Sequence, residues 1–283
     1  MTSTTSSSRP EALPKIVFYD IDHTLTPSTR SWSPATVRTL LALRYRKLPY
    51  TREAISYPDI AGLLKGKYVP PPAGLRVPYT LPAIDLIWPS SAEVQNEDSQ
   101  LITTIMDSDP ISKALETLVP VSDAHPSLFP LGEESHAQVK KIQAAIGAAN
   151  PKIGKFVYAR VFPFLDPRGR EYFVRTRESW MENGRTFKDV EKEADMPEAE
   201  IVECFKQALG DFAKAYADEA AKSGKSDGIY FGGVASPSYA DFVCIACIEW
   251  WRCAREKEVD RALAEADGGL FKKIHDEFHD LLY

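Results

Sequence analysis

KIVFYDIDHTLTPSTRSWSPATVRTLLALRY, residues 15–45, decides the fold. Lys15 to Tyr19 is a short apolar run that reads as a buried strand. A polar loop with a proline follows, from Asp20 to Ser33. Pro34 then opens a helical pattern that continues from Ala35 to Tyr45. Proline suits a first helical turn, because the N–H it lacks would have no partner there. Working outward, Tyr50 to Ser56 reads as a second strand edged by Pro58, and Pro70 to Pro72 as a loop. TLPAI, Thr80 to Ile84, reads as a strand interrupted by Pro82, which marks an edge or a special peptide bond. From Ser99 the pattern is helical, broken only by VSDAHPSLFPL at residues 121–131. Strand, helix and strand, then strand and helix, then helices alone, fits an α/β N-terminal domain joined to an all-α C-terminal domain better than one doubly wound sheet. The expected division is a disordered Ser/Thr-rich tail at 1–12, the mixed domain at 13–120, a linker at 121–131 and the helical domain at 132–283.

Composition narrows the function. A chain of 283 residues, 44% hydrophobic and 26% charged, can bury a core without staples. A net charge of −6 with no basic cluster argues against a nucleic-acid surface and against an anionic membrane surface. No apolar run reaches the ~20 residues of a membrane span, and the first ten residues lack the apolar core of a secretory signal. The four cysteines all follow residue 200 and make no disulfide framework. The expected address is therefore the cytoplasm.

One motif points elsewhere. A buried strand ending in Asp20-x-Asp22-x-Thr24 resembles the first motif of the haloacid-dehalogenase-type phosphatases. The resemblance implies Asp20 as nucleophile, Asp22 as general acid and Mg²⁺ on the phosphate. It ends after about a dozen residues, and no later strand supplies the acidic pair such a site needs.

A second constellation is spread over three places. Trp32-Ser33-Pro34 lies at a loop-to-helix junction, where free N–H groups and a partial positive charge favour an anion. Leu81-Pro82 opens a strand. Glu97-Asp98-Ser99 reads as the start of the helix after the sheet, with N–H groups and a hydroxyl for a carboxylate. With IVFYDI (Ile16–Ile21), SWSPAT (Ser31–Thr36), LRYRKLP (Leu43–Pro49), YPDI (Tyr57–Ile60), TLPAI, LFP (Leu128–Pro130) and EYFVRTRE (Glu171–Glu178), the chain resembles the glutathione transferases, in particular the fungal-specific A class related to bacterial β-etherases.

That resemblance implies a thioredoxin-like N-terminal domain that binds the co-substrate glutathione, without a metal. It implies that Ser33, with Ser31 in reserve, donates a hydrogen bond to the glutathione thiolate. Trp32, Leu81, Pro82, Asp98, Ser99 and Lys67 would contribute to the glutathione site, with Lys65 or Lys67 meeting the glycine carboxylate. Hydrophobic aromatic electrophiles such as aryl ethers or hydroperoxides, a detoxifying role and a homodimer are implied likewise. So is an alternative, a ligandin that binds aromatic compounds with little turnover. Tyr158 and Phe162, with Phe164, are candidates for the wall of the aromatic pocket.

Other residues read as structure. Ser238-Tyr239-Ala240-Asp241 is a capping box at the start of a buried helix. Cys244 and Cys247 fall well inside that helix, away from the N-terminus that would activate a thiol, and read as buried structural thiols. With no cysteine in the N-terminal half, a mixed-disulfide mechanism is disfavoured. His275 and His279 share a helix face but lack a third ligand, so a solvated amphipathic helix is expected. Against the transferase pattern, Asp22-His23 replaces a usual Pro-Ser, and Asp109 to Pro120 reads as an added stretch.

Overall fold

The computed structural model describes residues 13–71, 76–89, 101–225 and 228–283. Strand β1 (Lys15–Ile21) is buried along all but its first residue and forms the centre of a small sheet. It pairs parallel with β2 (Tyr50–Ile55), placing Val17 opposite Thr51, and antiparallel with β3 (Ala83–Ile87), placing Val17 opposite Asp85. Strand β4 (Ile102–Met106) closes the order β2-β1-β3-β4. Between β1 and β2 lies α1 (Pro34–Tyr45), buried from Thr39 to Leu43. Helix α2 (Ile60–Gly66) follows β2, and α3 (Ser108–Leu118) follows β4.

The helical domain is led by α4 (Glu133–Val161), followed by α5 (Pro167–Glu178), α6 (Phe187–Glu193), α7 (Glu198–Ser223), α8 (Tyr239–Glu265), α9 (Leu270–Glu277) and α10 (His279–Leu282). Helix α8 is the axis of this domain, with every residue from Tyr239 to Trp251 buried. The expected capping box is present: Asp241 accepts from the Ser238 N–H at 2.9 Å and its hydroxyl at 3.2 Å. The same carboxylate accepts from the Tyr216 hydroxyl and the Phe231 N–H, tying α7 and the preceding loop to the helix start. Cys244 and Cys247 are fully buried, and burial pushes the Cys247 thiol up to about 12.

Two buried arginines tie α1 and the loop before it to later parts of the chain. Arg46, at the end of α1, donates to the carbonyls of Glu116, Val119, His125 and Pro126. Arg30, in the loop before α1, donates to Glu249 of α8 at 2.5 Å. Glu249 also accepts from Tyr283 at 2.8 Å and Arg252 at 3.1 Å, and bonds His275 at 2.9 Å. His275 is thus a buried member of an ion cluster rather than part of a solvated helix face. His279 remains exposed beside Asp280.

Two expectations need correction. Strand β3 begins after Pro82 instead of running through it, since proline cannot donate to a ladder. ITTIM is a strand, so the pattern does not turn helical at Ser99; its half-exposed edge position hides the buried-run signature. Asp109 to Pro120 makes up most of α3.

The phosphatase reading fails on topology. Among the described residues the sheet has one parallel pair, β1 with β2, and no further parallel strand to carry an acidic pair. Asp20 is fully buried, accepts from the Ile21 N–H at 2.7 Å and forms an ion pair with Arg52 at 2.7 Å. A carboxylate enclosed in this way cannot reach a phosphorus atom.

Candidate functional site

Ser33 is the N-cap of α1, with extended backbone at φ −73° and ψ 132°. Its carbonyl accepts from the Val37 N–H at 2.8 Å, but its hydroxyl caps nothing and has no hydrogen-bond partner among the described residues. The Ala35 and Thr36 N–H groups, the usual donors to a side chain at this position, make no bond to it. Ser31, by contrast, is committed: its hydroxyl bonds Thr36 at 2.6 Å in a buried setting.

The free hydroxyl stands between two cavities. The first, about 320 Å³, is bounded by the end of β1 (Ile21), the Tyr79–Leu81 segment, and Tyr172 and Trp180 from the helical side. The second, about 330 Å³, lies between the domains and is walled by Trp32, Tyr158, Phe173 and Trp250. Ser33, Tyr57 and Arg177 line both and form their common partition.

The partition is electrostatically uneven. The Arg177 guanidinium stacks 4.5 Å from the Phe173 ring, 4.7 Å from Trp180 and 5.1 Å from Tyr57. It donates to the Thr176 hydroxyl at 2.9 Å and has no carboxylate partner among the described residues. Burial holds the Tyr57 phenol well above the usual tyrosine range, against the pull of Arg177, so it stays a neutral O–H donor.

Leu81 lines the first cavity, and the Leu81–Pro82 peptide is cis. The Pro82 carbonyl accepts from the Asp107 N–H at 3.0 Å, which brings the start of α3 beside this turn. Asp107 holds φ 80° and ψ 140°. A non-glycine residue kept there costs about 1–3 kcal/mol and is found where the surroundings over-determine the backbone. Ser108, the first residue of α3, is buried.

Residues 141–281 match the glutathione S-transferase C-terminal domain family. The glutathione S-transferase-like protein ustS of Aspergillus flavus is 32% identical over 257 residues, which cover 91% of this chain and 87% of that protein. The chain belongs to the glutathione transferases. A glutathione transferase structure from Phanerochaete chrysosporium superposes with a TM-score of 0.72 at 26% identity, covering 96% of this chain and 99% of that one. A glutathione S-transferase of Ceriporiopsis subvermispora, solved in complex with glutathione, gives the same TM-score and identity, covering 95% and 98%. The small mixed sheet and helical domain of this transferase are therefore the fold of the family.

Against that fold the sequence-derived residues divide. Ser33 and Leu81 reach the first cavity of the transferase, and Trp32 lines the second. Tyr158 lines the interdomain cavity, whereas Phe162 packs on Phe187 at 5.2 Å, outside both cavities. Phe164 meets Trp32 from behind, at 5.4 Å. Lys67 pairs with the buried Asp85 at 2.6 Å and lies over the Tyr19 ring at 5.0 Å, so its charge is already engaged. Asp98 and Ser99 lie outside the described residues. The helix after the sheet opens at Ser108, preceded by Asp107. The signal was available in Asp107-Ser-Asp-Pro110, a polar cap followed by proline in the first turn. Tyr57 and Arg177 lay inside quoted stretches, yet nothing in their spacing singled them out. Among the described residues no helix is long and apolar enough to cross a membrane, and no three His, Cys, Asp or Glu side chains form a metal cluster.

Proposed function

We propose that this glutathione transferase is serine-type, with Ser33 stabilising the glutathione thiolate for attack on a hydrophobic aromatic electrophile. The observation that carries the reading is the unengaged Ser33 hydroxyl at the start of α1, on the partition shared by the two cavities. Glutathione takes the first cavity. Its peptide lies along Leu81-Pro82, and its γ-glutamyl carboxylate is directed to the start of α3 at Asp107-Ser108. The Ceriporiopsis relative's complex with glutathione supports that occupant.

A free thiol with a pKa of ~8.5 is largely protonated near neutrality. A hydrogen bond from Ser33 to sulfur and the positive end of α1 together supply about 1.4–2.8 kcal/mol of preference for the thiolate, or one to two pKa units. Arg177, without a carboxylate partner, adds to the same preference. The thiol proton leaves to solvent, the sulfur attacks the electrophile held by Trp32, Tyr158 and Trp250, and the displaced group departs with its bonding electron pair.

Calorimetry with glutathione, combined with ultraviolet titration of the bound thiolate, tests this. Ser33→Ala should still bind glutathione but raise the thiolate pKa by about one to two units. Absence of binding to the wild type at millimolar glutathione would sink the proposal. Normal thiolate formation without turnover of any aromatic electrophile would favour the ligandin alternative.

A further inference from the structure

The aromatic cavity between the domains contains more cationic character than a purely hydrophobic substrate needs. Two arginines line it, Arg38 of α1 and Arg177 of α5, and neither has a carboxylate partner among the described residues. The Arg38 Nε is buried without a hydrogen-bond partner. Trp32 and Trp250, on opposite sides of the domain boundary, likewise keep buried indole N–H groups without partners, and Asn150 keeps a buried amide oxygen without one. All four residues line this cavity. Buried polar atoms are nearly always satisfied, so such a concentration marks a place built for a ligand. The set is dominated by donors: guanidinium and indole N–H outnumber the single amide oxygen. Donors with fixed positive charge are matched by an acceptor-only anion, and a guanidinium fits a carboxylate best.

We propose that the electrophile of this transferase is an aromatic acid, its rings held by Trp32, Tyr158 and Trp250 and its carboxylate held by Arg38 with Arg177. This rests on the reading of the neighbouring cavity as the glutathione site. Arg38 lines only the interdomain cavity, whereas Arg177 lines both, so Arg38 is the specific handle. The charge sits one helical turn beyond Ser33, on the helix that carries the thiolate-stabilising hydroxyl. An acid anchored there presents its aromatic body along the partition where the sulfur emerges.

The test uses two probes of equal size, 4-phenylbenzoic acid and 4-phenylbenzamide, titrated calorimetrically into the full chain with and without saturating glutathione. The acid should bind about tenfold or more tightly than the amide, the difference expected of a charge-assisted hydrogen bond in a buried site. Arg38→Met should erase that preference while leaving amide and glutathione affinities within about twofold, and Arg38→Lys should restore part of it. Equal binding of acid and amide, or a preference that survives Arg38→Met, overturns the proposal. So does displacement of the acid by glutathione, which would place both anions in one site. If the acid is preferred but glutathione never binds, the cavity takes an aromatic anion yet not as an electrophile, and the transferase mechanism fails separately.

Discussion

Replacing Glu249 by Gln should destabilise the protein by about 3–5 kcal/mol, the usual cost of breaking a buried ion pair by removing one partner. The carboxylate is 1% exposed and carries four contacts, from Arg30, Arg252, His275 and Tyr283. Its burial alone would raise its pKa, but His275, Arg30 and Arg252 overcome that and hold it at about 2, from an ordinary 4.5. At ~1.4 kcal/mol per unit, that depression is worth roughly 3 kcal/mol. The sign is that of an acid whose folded value lies below its unfolded one. Its contribution is fully present above the unfolded value and disappears as the pH falls through the folded one. The gap between wild type and Glu249→Gln in urea unfolding should therefore be wide near pH 7 and close between about pH 5 and pH 2. Tryptophan fluorescence reports the transition. Because Arg30 stands three residues before Ser33, the variant should also raise the thiolate pKa of bound glutathione. A loss below about 1 kcal/mol near pH 7, or a gap that does not shrink in acid, would refute the claim that this cluster locks the loop to the helical domain.

Other perturbations separate structure from chemistry. Asp241→Ala removes the acceptor of four hydrogen bonds at the start of α8 and should cost about 3 kcal/mol or more by denaturant unfolding. Lys67→Met should lower stability by about 1–2 kcal/mol, since the buried Asp85 loses its cation but keeps Tyr19 and Thr104, with glutathione affinity changed less than about twofold by calorimetry. A large loss of affinity would return Lys67 to the glutathione site. Tyr57→Phe should leave folding intact and lower kcat/KM toward aromatic electrophiles about tenfold, because its neutral phenol is a donor on the partition. Unchanged kinetics would remove Tyr57 from the site.

The parts of this transferase legible in its sequence were those in which one local signal fixes one local structure. An apolar run, a proline in the first turn and a capping box have such signals, so β1, α1 and the start of α8 were readable from residues 15–45 and 238–241. Strand β4 was not, because an edge strand buries too little to enforce an apolar pattern, and Ile102-Thr-Thr-Ile alternates no more strictly than a helix surface. Missing it shifted the expected helix start from Ser108 to Ser99. The second shortfall has a different cause. Arg38, Tyr57 and Arg177 line the cavities only when α1, the turn before α2 and α5 are brought together, and no spacing along the chain encodes that meeting. The sequence favoured Ser33 with Ser31 in reserve; in the structure the Ser31 hydroxyl bonds Thr36, whereas the Ser33 hydroxyl has no cap partner.

The partition of Ser33, Tyr57 and Arg177 sorts the pocket residues by their freedom to evolve. A substitution in the partition alters both chambers at once, so under the proposed assignment a lineage cannot trade one acceptor for another there without disturbing the glutathione chamber. Ile146, Asn150, Tyr158 and Trp250 face only the interdomain chamber. Substrate range is freest to change at the residues that line the interdomain chamber alone, Arg38 of α1 among them, and related transferases with new acceptors should differ there first, while the shared wall stays constant.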